Sequence, residues 1–286
     1  MTLPNDLRGK AVLITGGTMG IGLATALAFG RQQAHTILTY KWGSADESEV
    51  RDHFRRIGAP DPLIVRADVV DEEDTAALMQ ELRGRHDAIE VFVSNVAFGL
   101  LINSLDDYKK RSFFKTVEYS TWPLVDYVQR IRQTFGRYPR YVVGISSDGP
   151  ETYLNHYDFV AASKAALETL CRYMAQRLAP DGVSVNVVRS RFADTQSLTD
   201  TFGRDFVEFA HQVGGPDVPL PLEDVANAIL ALCSGLLDGV RGQTLMVDRG
   251  SGFTDNIMRV FNARQALGLS STDARTEFEF GGDSGA

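Results

Sequence analysis

The chain has 286 residues, of which 44% are hydrophobic and 23% charged, and its formal net charge is −8. This length and composition are ordinary for one α/β domain, which can bury a sizeable core without disulfides or metals. The acidic balance disfavours nucleic acids and anionic membranes as partners, because both attract basic surfaces.

Only two cysteines occur, Cys171 and Cys233, and both lie in apolar stretches of helical character. They indicate buried thiols in a reducing compartment rather than a disulfide framework. The first residues show no basic segment followed by an apolar one, and the sequence has no apolar run of the length, about 18 residues, that would span a membrane. We therefore expect a cytoplasmic protein.

Seven short apolar runs predict seven β-strands, at residues 10–15, 36–40, 63–68, 90–95, 140–146, 183–188 and 244–247. Polar stretches of helical length separate them, for example at 45–57 and 72–83. Strands that alternate with helices form right-handed crossovers, which cover both faces of a parallel sheet. The sequence therefore predicts an α/β fold with a seven-stranded parallel sheet and helices on both faces.

A glycine-rich loop, Thr15-Gly-Gly-Thr-Met-Gly-Ile-Gly22, joins the first predicted strand to a helical pattern. Glycines let backbone N–H groups approach a pyrophosphate, and the positive end of the following helix dipole favours that anion. Asp68 and Asn95 end two later strands at the same sheet edge. We expect the carboxylate of Asp68 to bind adenine and Asn95 to lie beside the nicotinamide ribose. Together these features predict a single-domain Rossmann fold that binds a nicotinamide dinucleotide.

The end of the second predicted strand bears on which cofactor binds. An NAD site usually has an acidic residue there for the ribose hydroxyls, but residues 39–44 contain no carboxylate. Lys41 and Ser44 could instead meet a 2′-phosphate, so we favour NADPH, with NADH as the alternative. The dinucleotide-binding and catalytic domain is predicted at 1–254. Residues 255–286, which end in a polar, glycine-rich tail, are predicted to be a partly mobile C-terminal extension.

Beyond the fifth predicted strand the chain carries Ser147 and Lys164, followed by Asn186 and the segment 241–248. Together with the glycine loop and Asn95, these features resemble the short-chain dehydrogenase/reductase family over about residues 8–253. The common family pattern would place a tyrosine at Val160, which cannot donate a proton. A tyrosine instead occurs seven residues before the lysine, and this Tyr-x6-Lys spacing resembles the enoyl-acyl-carrier-protein reductase branch.

The spacing also has a physical interpretation. Seven helical residues rise about 10 Å, and they would place Tyr157 and Lys164 on one helix face. In enoyl-thioester reduction the oxygen to be stabilised lies further from the hydride acceptor than in carbonyl reduction. A tyrosine set further from the lysine suits that demand.

The resemblance implies a role for each of the following residues. Four are expected to be catalytic: Tyr157, Lys164, Tyr153 and Ser147. Those expected to bind the cofactor are Gly16, Met19, Gly20, Ile21, Gly22, Tyr40, Lys41, Asp68, Val69, Asn95, Lys164, Phe192 and Thr195. No metal is expected. Members of this family usually form homo-oligomers, so a homodimer or homotetramer is also expected.

These observations predict NAD(P)H-dependent reduction of the C=C bond of an α,β-unsaturated acyl thioester, free or on acyl carrier protein. The pathway would be fatty-acid, polyketide or more specialised biosynthesis. The alternatives are a carbonyl reductase with an altered site and a non-catalytic cofactor-binding subunit. An apolar acyl pocket is expected from five side chains, namely Phe98, Leu100, Leu101, Phe202 and Phe206.

Several residues depart from the family pattern. Arg189 and Arg191 stand in a loop where the family has small residues against the nicotinamide, and Arg249 replaces a frequent glycine. Met19 stands where NADPH-dependent members often have arginine, which weakens the preference for NADPH. The arginines in the loop could clamp an anionic group or obstruct the cofactor, and the sequence leaves both alternatives open.

Overall fold

The computed structural model describes residues 6–42, 46–214, 218–265 and 267–269. Its strands are β1 Ala11–Ile14, β2 His35–Tyr40, β3 Leu63–Arg66, β4 Ile89–Ser94, β5 Tyr141–Ser147, β6 Ser184–Ser190 and β7 Thr244–Val247. They form one sheet in the order β3-β2-β1-β4-β5-β6-β7, and every neighbouring pair is parallel. The predicted seven-stranded parallel sheet is therefore confirmed.

Helices connect the strands and cover both faces of the sheet. They are α1 Gly20–Arg31, α2 Glu47–Arg56, α3 Glu72–Arg85, α4 Lys110–Ser120, α5 Trp122–Phe135, α6 Asp158–Leu178, α7 Gln196–Phe202, α8 Arg204–Gly214, α9 Leu222–Leu232 and α10 Asn256–Ala263. Asp46 and Asp71 cap α2 and α3 by accepting backbone N–H bonds, which satisfies donors that a helix start leaves unpaired.

The core consists of two apolar layers, one on each face of the sheet. Leu78 of α3, Leu124 of α5 and Leu167 of α6 belong to the first layer, and α1, α2 and α9 contribute to the second. The strands are apolar on both sides because both faces are covered. Cys171 is buried in the first layer and Cys233 in the second, so the sheet lies between the two thiols.

The strand order places the functional site. β1 lies between β2 and β4, so the chain reverses its direction of progression across the sheet at this point. In open α/β sheets, ligands bind in the crevice that such a reversal leaves at the carboxyl ends of the strands. The glycine loop and the ends of β4, β5 and β6 all open onto this edge.

The structure adjusts one expected helix and describes the start of the predicted extension. The helix after β5 begins at Asp158, with Tyr157 as its N-cap, so the Tyr157–Lys164 segment is not helical throughout. α10 occupies the start of the predicted extension and packs against α8. Residues 270–286, where the sequence predicts a mobile tail, lie outside the described residues. Among the helices of the described residues, none has both the length and the apolar character needed to cross a membrane.

Candidate functional site

A cleft of about 370 Å³ lies at the carboxyl edge of the sheet. Residues from the β1–α1 loop, from the ends of β2 to β6 and from α7 line it. The predicted site residues that it brings together are Gly16, Met19, Gly20, Ile21, Tyr40, Lys41, Asp68, Val69, Asn95, Ser147, Tyr157, Lys164, Phe192 and Thr195. Gly22 lies buried behind the loop, and Tyr153 lies outside the lining, with 83% of its surface exposed.

The glycine loop has the shape of a phosphate cradle. Gly16 has φ +63°, a left-handed conformation that suits glycine. A Cβ on Gly22 would overlap the carbonyl oxygen of Gly16 and lie 2.8 Å from Asn95 Nδ2. Among the described residues, no side chain caps the N-terminus of α1. Its first N–H groups are therefore left for an anion, and the loop fits the pyrophosphate of a dinucleotide.

Asn95 braces the glycine loop. Its Nδ2 donates to the carbonyl oxygens of Thr15 at 3.1 Å and Gly16 at 3.0 Å, and its backbone N–H donates to Thr15 Oγ1 at 3.1 Å. The sequence predicts that Asn95 lies beside the nicotinamide ribose. In the structure it lines the cleft, but its amide nitrogen is engaged in holding the loop that would carry the pyrophosphate.

A polar network closes one end of the cleft. Lys41 Nζ donates to Asp68 Oδ2 and, at 3.2 Å, to the Tyr119 hydroxyl, which itself donates to Asp68 at 3.2 Å. Desolvation acts against the charge of Lys41, but these hydrogen bonds raise the pKa of Lys41 on balance. The carboxylate expected to bind adenine and the lysine expected to bind a 2′-phosphate are therefore paired with each other.

Two aromatic residues at this end were missed from the sequence. Trp42 packs on Tyr119, with ring centroids 5.8 Å apart, and Lys41 Nζ lies 4.0 Å from the Trp42 ring centroid. Phe98, which was predicted to line an acyl pocket, stacks on the same cluster. Trp42 follows Lys41 directly, so its place near the cleft could have been inferred. Tyr119 lies on α4, and only the tertiary fold brings it here.

The opposite end of the cleft carries a buried lysine. Lys164 Nζ donates to the carbonyl oxygen of Ile145 at 2.8 Å. Desolvation lowers the pKa of Lys164 to about 8, while the nearby carboxylate of Glu168 opposes that decrease. The Ile145 carbonyl uses one of the three N–H donors of Lys164, which also lines the cleft.

Tyr157 and Ser147 lie close to each other at this end. Burial raises the pKa of Tyr157, and the neighbouring Ser147 hydroxyl opposes the increase. Ser147 Oγ is buried and has no hydrogen bond of normal geometry within the described residues. A buried hydroxyl without a partner is costly, so Ser147 Oγ is available for a hydrogen bond to a bound molecule or a water.

The local backbone explains how Tyr157 reaches the cleft. His156 has φ +66°, and Tyr157 then starts the turn in which its carbonyl accepts the Ala161 N–H at 2.8 Å. Val160, where the common family pattern has tyrosine, is buried and packs against Gly99. Tyr157 is thus the phenol that this segment presents to the cleft, while the catalytic role of exposed Tyr153 stays a prediction.

An aromatic wall lies beside Tyr157. Phe202 of α7 is 6.2 Å from the Tyr157 ring, and Phe192 and Phe206 pack against Phe202 at 6.2 Å and 5.1 Å between ring centroids. Thr195 lines the cleft and caps α7 by accepting the Leu198 N–H. Of the residues predicted for the acyl pocket, Phe98 and Phe202 line the cleft, whereas Phe206 does not, and Leu100 and Leu101 are exposed and do not line it either.

The unusual arginines lie outside the described lining of the cleft. Arg189 pairs with Glu168 and Glu151, and Arg191 pairs with Asp148. Acidic partners thus hold both guanidinium groups, and neither arginine lines the cleft. Within the described residues, no group of three or more His, Cys, Asp or Glu side chains is arranged to hold a metal ion.

The chain is similar to several known proteins. Residues 16–252 match the family model described as enoyl-(acyl carrier protein) reductase. The NADH-dependent enoyl-[acyl-carrier-protein] reductase of Aquifex aeolicus is 26% identical over 267 residues, which cover 91% of this chain and 96% of that protein. The 1-cyclohexenylcarbonyl-CoA reductase of Streptomyces collinus is 29% identical over 258 residues, covering 85% and 87%.

The crystal structure of the Aquifex aeolicus protein has a TM-score of 0.74 at 24% sequence identity, covering 87% of this chain and 99% of that one. The fold and the cleft thus define a nicotinamide-dependent oxidoreductase. The chain belongs to the short-chain dehydrogenase/reductase family and resembles its enoyl-acyl-carrier-protein reductase branch.

Proposed function

We propose that this protein reduces the C=C bond of an α,β-unsaturated acyl thioester. The observation that carries the proposal is the pair formed by Tyr157 and Lys164, with six residues between them, which both line the cleft while Val160 is buried against Gly99. A reduced nicotinamide would supply the hydride when bound. The printed functions of the two relatives, an enoyl-acyl-carrier-protein reductase and an acyl-CoA reductase, support a thioester substrate.

Tyr157 would stabilise the thioester oxygen. Because burial raises its pKa, the phenol stays protonated near neutral pH and donates a hydrogen bond to an oxygen that gains charge. The aromatic wall of Phe192, Phe202 and Phe206 limits water at this point, which strengthens that hydrogen bond. The same wall offers an apolar surface to the acyl chain.

Lys164 would hold the sugar next to the reacting ring. One of its protons is used by the Ile145 carbonyl, which holds its Nζ in place, and the other two would be free for the ribose of a bound cofactor. Its charge also favours negative charge on the thioester oxygen. Asn95 and the glycine loop would hold the pyrophosphate at the other side.

We propose NADPH as the preferred cofactor. The end of β2 lacks a carboxylate and carries Lys41 at the cleft. We expect Lys41→Ala to raise KM for NADPH about tenfold, the value of one charge-assisted hydrogen bond, and to change KM for NADH by less than about twofold. Lys10→Ala, at the amino end of β1, is the matched control. Equal increases in KM for NADPH and for NADH would show that Lys41 does not bind the 2′-phosphate.

A second candidate is carbonyl reduction. It is favoured by the buried Ser147 hydroxyl beside Tyr157, because such a pair could bind a carbonyl oxygen next to the hydride acceptor. The two candidates differ in the distance between the reduced carbon and the oxygen that is stabilised. Direct competition between matched substrates therefore separates them.

The test measures loss of reduced cofactor with crotonyl and acetoacetyl thioesters of the same carrier, each with NADPH and NADH. We expect the crotonyl thioester to be reduced at least about tenfold faster in kcat/KM. Turnover of the acetoacetyl thioester alone would overturn the proposal in favour of carbonyl reduction. Cofactor binding by titration without turnover of either substrate would indicate a non-catalytic cofactor-binding subunit.

A further inference from the structure

Two arginines at the end of β6 both reach the turn that follows β5. Arg189 Nη1 lies 2.7 Å from Glu151 Oε2, and Arg191 Nε lies 3.0 Å from Asp148 Oδ2. Asp148 accepts the backbone N–H groups of Glu151 at 3.0 Å and Thr152 at 2.9 Å through its carbonyl. Both ion pairs therefore hold one compact turn, residues 148–152, against β6.

This turn stands between the residues that line the reactive end of the cleft. Ser147 immediately precedes it at the end of β5, and Tyr157 follows it at the start of α6. The chain between them contains no regular helix or strand. Its position depends on local backbone hydrogen bonds, such as the one from the Ile102 N–H to the His156 carbonyl at 3.2 Å, and on side-chain contacts that include the two ion pairs.

Arg189 also connects this turn to the end of β5 and to α6. Its Nε and Nη2 donate to the two carboxylate oxygens of Glu168 at 3.0 Å and 2.7 Å, and Ser146 Oγ donates to Glu168 at 2.6 Å. Arg189 and Glu168 are both almost fully buried. Glu168 lies one helical turn after Lys164, so a single arginine links the turn, the end of β5 and the helix that carries the lysine.

We propose that Arg189 and Arg191 are positioning residues that hold the 148–152 turn and thereby place Ser147 and Tyr157 against Lys164. The proposal rests on the proposed function, in which Tyr157 and Lys164 act on the bound molecules. An anion clamp is disfavoured because acidic side chains already pair with both guanidinium groups. The ion pairs of the two arginines with Asp148, Glu151 and Glu168 would together fix the geometry of the reactive end of the cleft.

The first test uses Glu151→Gln, because Arg189→Met would leave the Glu168 carboxylate buried without a partner and could unfold the chain. Glu151 is 69% exposed on its side chain, so its neutral isostere removes the ion pair with little other change. Glu81→Gln is the matched control, since it also removes an exposed carboxylate that pairs with an arginine, Arg85 at 3.0 Å, on α3.

Amide hydrogen exchange is measured on the protein without cofactor or substrate. We expect peptides covering 147–157 to exchange about tenfold faster in Glu151→Gln than in the wild type, and to be unchanged in Glu81→Gln. Arg191→Lys, which keeps a charge near the buried Asp148 carboxylate but removes the guanidinium contact, should give a smaller increase in the same peptides. Unchanged exchange in both Glu151→Gln and Arg191→Lys would overturn the proposal.

Kinetics then test whether holding the turn positions the reacting groups. With the thioester that the wild type reduces, kcat should fall about tenfold in Glu151→Gln, while KM for the cofactor stays within about twofold. Faster exchange with unchanged kcat would overturn the positioning role. A rise in cofactor KM without faster exchange would favour the anion clamp. If the wild type reduces no thioester, the proposed function fails, but the exchange comparison still decides whether the arginines hold the turn.

Discussion

Replacing Tyr157 with phenylalanine should reduce kcat for the enoyl thioester by about 10² to 10³, the usual cost of removing one donor to a developing oxyanion. The ring would still fill its place beside Phe202, 6.2 Å away, so the fold should be retained. KM for the cofactor should change by less than about twofold, because Lys164 and the glycine loop are untouched. Initial rates at saturating cofactor measure the effect.

Tyr173→Phe is the matched control for this substitution. Tyr173 lies on the same helix, α6, is 65% exposed and stands outside the lining of the cleft. Removal of the Tyr173 hydroxyl should leave both kcat for the enoyl thioester and KM for the cofactor unchanged. If Tyr157→Phe retained more than about a third of the wild-type kcat, the phenol would not be the donor to the thioester oxygen. Exposed Tyr153 would then be the next residue to test.

The fold could be predicted because its signals are local. Each strand is an apolar run of a few residues, and the glycine loop lies between a strand and a helix, so motif and context occur within one short segment. The cleft followed from the same signals, since the carboxyl ends of parallel strands share one edge. Helix boundaries were less certain: α6 begins one residue after Tyr157 because His156 adopts φ +66° just before it.

The partners of the charged residues could not be predicted, because they come from separate elements. Arg189 pairs with Glu168, which is 21 residues away on α6, and Lys41 pairs with Asp68, which is 27 residues away. A sequence shows that these charges exist, while only packing shows that they neutralise one another. Arg189 and Arg191, which could have obstructed a cofactor, are instead held by acidic side chains. Tyr119, on α4, accepts a hydrogen bond from Lys41 that the sequence could not show either.

A substitution in the glycine loop, Gly22→Ala, should lower both the stability of the protein and its affinity for the dinucleotide. In Gly22→Ala, the new Cβ would overlap the Gly16 carbonyl oxygen and lie 2.8 Å from Asn95 Nδ2. Both neighbours are fixed, since Asn95 Nδ2 also donates to that carbonyl at 3.0 Å. Relief of the overlap requires the loop to move away from α1. We expect the free energy of unfolding to fall by about 1–3 kcal/mol, and the affinity for the dinucleotide to fall at least about tenfold.

Gly84→Ala separates this effect from the general consequences of replacing glycine in a helix. Gly84 is exposed near the end of α3, and a Cβ there would meet no atom within 4 Å. Alanine at this position should stabilise the protein by about 0.5–1 kcal/mol and leave cofactor binding unchanged. Urea unfolding and cofactor titration measure the two quantities for each variant. If Gly22→Ala bound the dinucleotide as tightly as Gly84→Ala, the loop would tolerate a side chain behind it, and its close approach to α1 would not be what shapes the phosphate cradle.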